Sequence, residues 1–148
     1  MLSIAHVVTG SFIATQVGNP LIAIPLIFAS HYLEDWIPHW DVGTGLSTGK
    51  RKREDAIRYE FLDLGISALL VYLYWHAGST SIPWAAYWGG FIALIPDFME
   101  APRNFWKWEP AWLKPFNTFH GYFHHSTPNK LIGLTPQIIV LIVIFLLR

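Results

Sequence analysis

The sequence predicts an all-α fold, a polytopic membrane helix bundle of about five transmembrane helices plus one interfacial helical segment. Three observations lead there. Hydrophobic residues make up 53% of the 148, aromatics 16%, and the mean hydropathy is +0.35, richer than an ordinary water-facing domain of this size. Residues 138–147 form a run with no polar side chain. Nearly every ionisable residue can be placed on one side of a membrane. Nine of the 10 Lys and Arg, all 10 carboxylates and six of the seven His fall in segments that one topology assigns to the cytoplasmic face. The length suits a single integral-membrane domain, residues 1–148.

The elements follow in order. Residues 2–17 form a first apolar segment rich in Gly, Ser and Thr, small residues that allow close helix packing. It lacks a basic leader and a small-residue cleavage site, so it reads as a retained helix. Gly18, Asn19 and Pro20 make a turn, and residues 21–36 return until Pro38, which removes a backbone donor. Residues 41–53 are a polar loop with three glycines and the basic run Lys50, Arg51, Lys52 and Arg53, which reads as cytoplasmic. Residues 58–75 form the third span, 78–81 a short outer loop, and 84–98 the return. Residues 99–130 hold four prolines with Trp106, Trp108 and Trp112, the composition of a surface-lying segment with aromatic anchors. Residues 131–147 are the last span. This topology puts the N-terminus in the cytoplasm and the C-terminus outside an inner membrane. A weak internal repeat pairs the hairpin from His6 to Asp35 with that from Asp63 to Asp97.

Composition also excludes. The net charge near zero gives no bulk electrostatic reason to bind nucleic acid. The absence of cysteine removes disulfides, thiolate nucleophiles and Cys-ligated zinc.

Charge beside hydrocarbon costs roughly 2.5–3.5 kcal/mol per Asp, Lys or Arg at a helix centre, so such residues need a partner or a task. His31 and Asp35 are four apart and share a helical face, a workable metal chelate and equally a hydrogen-bonded pair at a helix end. His39 and Asp41 lie past Pro38, where helical spacing no longer gives direction. His120, His124 and His125 fall within six residues, a density that packing explains poorly because buried imidazoles need partners. Asp97 and Glu100 end one apolar segment, while His6 and Asp63 sit at comparable depth at the start of two others. The topology gathers these at one level. The expected metal ligands are therefore His6, His31, Asp35, Asp63, Asp97, His120 and His124, with Glu100, His39 and His125 as proton-shuttling groups. Imidazole and carboxylate without sulfur point to a divalent metal, zinc first, then manganese or iron, with enough donors for two ions. Metal-bound water would be the hydrolytic nucleophile.

At these residues the chain resembles the membrane-bound metal-dependent hydrolase family typified by YdjM-like inner-membrane proteins. His6 matches that family's N-terminal histidine, and Pro96 and Asp97 match the start of its Pro-Asp-x-Asp-His-like element, which Glu100 and Ala101 do not complete. His120, His125 and Ser126 match its His-Arg-Gly-x-Thr-His-Ser-like element, with Gly121 in place of the arginine. Ser30, His31 and Asp35 match its Ser-His-x3-Asp element, which here precedes the other two. The resemblance implies a hydrolase. The expected function is an integral-membrane metallohydrolase acting on an ester or phosphoester substrate, a lipid among the candidates, with membrane lipids as partners and no nucleic acid. A structural or metal-handling membrane protein is the non-enzymatic alternative. A di-iron lipid desaturase is a third reading, weakened by its usual need for about eight histidines.

Overall fold

The computed structural model describes all 148 residues and is all-helical. Its elements are α1 (Ser3–Val17), α2 (Pro20–Trp36), α3 (Arg53–Val71), α4 (Trp84–Ala93), α5 (Ile95–Trp106), α6 (Lys114–Phe123) and α7 (Lys130–Leu147), and α3 runs on into a π-helical turn, Tyr72–His76. Local chemistry accounts for the starts. Asn19 caps α2 by accepting from the Leu21 amide at 3.0 Å, with Pro20 in the first turn. Asn129 caps α7 through the Ile132 amide, and Glu54 and Asp55 place negative charge in the first turn of α3.

α1 is the central element and packs against α2, α3, α4 and α7. Its small residues set how close α4 comes. A Cβ on Gly10 would meet the Gly89 carbonyl at 2.5 Å, and one on Gly90 would meet Ser11 Oγ at 2.9 Å. At the same contact Ser11 Oγ donates to the Ala86 carbonyl at 2.7 Å. Two small apolar clusters flank it, Val7, Val71, Ala86 and Leu94 on one side and Ala14, Ala23, Ile27 and Ala93 on the other. Many large apolar side chains remain outside, among them Leu21, Leu33, Phe61, Leu131 and Leu146, each more than 60% exposed.

The five-span expectation does not survive. Only α7 is long and apolar enough to cross a membrane. α1, at 15 residues, reaches about 22 Å, short of the roughly 30 Å of hydrocarbon. α2 is also short, at 17 residues. α3 has the length but carries Arg53, Glu54, Asp55, Arg58, Glu60 and Asp63 in its first three turns. The segment expected as one span at 84–98 is two helices broken at Leu94, because Pro96 lacks the amide that would continue the ladder. The surface segment expected at 99–130 contains the second half of α5, an irregular stretch and α6.

This arrangement brings the start of α1, the end of α2, the α4–α5 junction and α6 to one end of the molecule. The close α1–α4 contact should be the least tolerant part of the fold. Gly89→Val is expected to destabilise by about 1–3 kcal/mol or more through overpacking. Gly65→Ala, in an open helical position, should be neutral or stabilising by about 0.5–1 kcal/mol. Thermal unfolding of the two variants against the parent checks both.

Candidate metal centre

The site is built around Asp35, whose side chain is fully buried on the last turn of α2. Its two oxygens face different neighbours. Oδ2 lies 2.9 Å from His120 Nε2 of α6 and 3.4 Å from His31 Nε2, one turn earlier on α2. Oδ1 meets the Met1 ammonium, His6 Nε2 at 3.2 Å and His39 Nε2 at 3.7 Å. Asp97 completes the first side, its Oδ1 lying 3.7 Å from both His31 Nε2 and His120 Nε2. His31, Asp35, Asp97 and His120 thus offer four ligand atoms within 4.8 Å of one another, and Asp35, His39 and His124 form a second such group.

Two of the histidines, His31 and His39, are held in the tautomer that a metal requires. His31 Nδ1 donates to the Ala93 carbonyl at 2.8 Å, an acceptor at the C-terminus of α4 where helical carbonyls lack partners. That bond leaves the Nε2 lone pair directed at Asp35 and Asp97, and Nε2 is buried without a hydrogen bond. Burial, and then the neighbouring His6, hold the His31 pKa well below the usual range, so the imidazole is neutral. His39 repeats the device, donating from Nδ1 to the Ile37 carbonyl at 2.9 Å. The loop bearing it is fixed by backbone pairing with the segment after α6, His39 N to His125 O at 3.0 Å and Thr127 N to His39 O at 2.7 Å. Gly133 of α7 supports the same loop from below. Trp40 N donates to its carbonyl at 3.2 Å, and Gln137 Nε2 donates to the Trp40 carbonyl at 2.8 Å.

The remaining expected residues fall around these groups. His6 is buried and stacked on His31 with ring centroids 4.0 Å apart, its Nδ1 2.7 Å from Glu34 Oε2. Burial and the Met1 ammonium oppose charge on His6, but Asp35 and Glu34 outweigh them and push it up to about 9. Its position is beside the donor groups and not within them. Asp63 is occupied at the start of α1, accepting from the Ser3 amide at 2.7 Å and the Ile4 amide at 3.2 Å. Glu100 is paired with Arg103, and its Oε2 lies 3.7 Å from His120 Nδ1. His124, the second histidine-cluster member to reach the site, has its Nε2 3.1 Å from His39 Nε2. His125 is exposed and contacts the Trp36 carbonyl. Sequence spacing missed Asp41, whose Oδ2 sits 3.3 Å from both His39 and His124. The adjacent Pro38-His39 step was the one signal for it.

A cavity of about 520 Å³ opens beside both groups. Asp41, Asp97 and His124 are in its wall, with Glu100, Arg103 and Asn104 nearby and Leu46, Ile57, Phe61, Phe98 and Trp106 on its apolar flank. Comparison with known proteins gives no matching family model, no matching curated protein and no matching solved structure.

Glu60, on the cavity wall, supplies a pH test. Burial, opposed by the Ser3 hydroxyl and reinforced by Asp63, pushes it up to about 7 from 4.5. A raised folded-state pKa means that the unfolded chain releases this proton first, so the carboxylate lowers stability progressively from pH 4.5 to 7. Glu60→Gln should therefore be more stable than the parent at pH 8, and the difference should vanish below pH 4.5. Denaturant midpoints measured across that range check the sign.

Proposed function

We propose that the chain is a metal-dependent hydrolase acting on an amphiphilic ester or phosphoester. The observation that carries this reading is the sulfur-free donor set of His31, Asp35, Asp97 and His120, with an unpartnered buried Nε2 aimed into it, beside a cavity lined by both polar and apolar side chains. The short motifs shared with YdjM-like hydrolases agree with it. Two imidazoles and two carboxylates suit zinc, with manganese or iron as alternatives.

When bound, such an ion supplies a Lewis acid for the scissile group and lowers the pKa of water. The protein's own residues do the rest. His31 and His120 hold the ligand geometry, His31 through its bond to Ala93. Glu100, on the cavity wall, is placed to accept a proton from water entering there, and Arg103 to hold the anionic part of a substrate. Arg103 would thus take the role for which the family's motif has an arginine where this chain has Gly121. The apolar flank formed by Phe61, Phe98 and Trp106 suits a hydrocarbon chain. α7, with the exposed apolar side chains of α2 and α3, would hold the protein at a membrane where such substrates reside.

The desaturase reading receives no support from the geometry, since His120 and His124 enter different donor groups and His125 enters neither. A non-enzymatic role is favoured by one observation, the mutual contacts of His6, Glu34 and Asp35, which tie α1 to α2 without any ion.

Activity separates the two readings. Protein loaded with zinc or manganese should hydrolyse a chromogenic phosphoester, lose that activity on chelation and regain it on metal addition. His120→Ala should lower metal affinity by more than about 100-fold and remain inactive. Arg103→Ala should raise KM for an anionic amphiphile with kcat changed only a few-fold. Metal-replete protein without hydrolysis of any ester or phosphoester would leave the non-enzymatic reading.

A further inference from the structure

We propose that Asp35 bridges two metal ions, the first held by His31, Asp97 and His120 through Oδ2, the second by His39, Asp41 and His124 through Oδ1. This rests on the metal-binding half of the proposed function and not on hydrolysis.

The second group is a built site in its own right. His39 is fully buried, and its Nδ1 is committed to the Ile37 carbonyl, so Nε2 presents a lone pair. That atom lies 3.1 Å from His124 Nε2, and Asp41 Oδ2 lies 3.3 Å from both. Asp41 is 6% exposed, and its Oδ2 is buried with no hydrogen bond, aimed at the gap between the imidazoles. An unpartnered buried carboxylate oxygen is costly, whereas a cation seated among these atoms would satisfy all three. Pro38, the pairing of His39 with residues 125–127 and the support of Trp40 by Gly133 and Gln137 fix the group before any ion arrives.

Asp35 links this group to the first because its oxygens diverge. Oδ2 is within 3.4 Å of both His31 and His120, and Oδ1 is 3.7 Å from His39. The Met1 ammonium is the present counter-charge of Oδ1, and a second ion would take over that role. A carboxylate shared in this way would place two ions against one cavity, an arrangement that can clamp both the attacking and the leaving oxygen of an in-line displacement at a phosphoester. The cavity wall contains Asp97 from the first group and Asp41 and His124 from the second.

Manganese titration of the full chain, followed by elemental analysis and electron paramagnetic resonance, tests this. The parent should bind two Mn(II) per chain with an exchange-coupled signal. The isosteric Asp41→Asn and the partly exposed His124→Gln should each bind one, with the six-line spectrum of an isolated ion. His31→Ala should also retain one, at the other group, and Asp35→Asn should weaken both by at least about 100-fold. Circular dichroism confirms that each variant is folded. One ion in the parent, two uncoupled ions, or two coupled ions persisting in Asp41→Asn and His124→Gln would each overturn the bridge. Two coupled ions without hydrolysis would sustain it while removing the proposed reaction, and one ion with hydrolysis would do the reverse.

Discussion

A carboxylate taken fully out of water costs several kcal/mol unless its partners are close and well aimed, and Asp35 is such a carboxylate. Its contacts come from α1 through His6, from its own helix through His31, from the following loop through His39, and from α6 through His120. The three imidazoles outside α2, His6, His39 and His120, are widely separated in sequence. The burial of this one group therefore demands that four segments converge, and the fold at this end of the molecule is organised to meet that demand. Removing any partner leaves charge exposed to an apolar interior, which is dearer than the loss of one contact.

The helical frame serves the same end by bringing backbones close. Gly10, Gly89 and Gly90 let α1 and α4 approach until a single added carbon would collide. That approach places the end of α4 beside α2, so that the Ala93 carbonyl meets His31 Nδ1. The break at Leu94 then redirects the chain and turns Asp97 into the site. A continuous helix through this region would carry Asp97 onward along the α4 axis. The interruption that ends the membrane-span pattern is thus also what completes the first donor group.

Much of this was legible in the sequence, and the rest failed for identifiable reasons. The four-residue spacing of His31 and Asp35 on a helix fixed their common face, and the apolar segments located the helices to within a few residues except where Pro96 divided one. Hydropathy alone overstated membrane crossing, because it registers apolar content and not helix length or the charges at the start of α3. Depth along a helix placed His6 and Asp63 near the site but gave no azimuth. His6 stacks on a donor, and Asp63 spends both oxygens on the first amides of α1. Asp41 was unreadable because its position depends on pairing between two loops 85 residues apart, the same pairing that sets His39 against His124. The cavity, assembled from α3, α5 and the loop after α2, has no linear signature.

The central claim is that the groups converging on Asp35 hold metal. X-ray absorption at the zinc edge of reconstituted protein tests it most directly. The account predicts a nitrogen and oxygen shell at about 2.0–2.2 Å with imidazole scattering and no sulfur. Zinc that is not retained, or a spectrum of hydrated ion without imidazole, would contradict it.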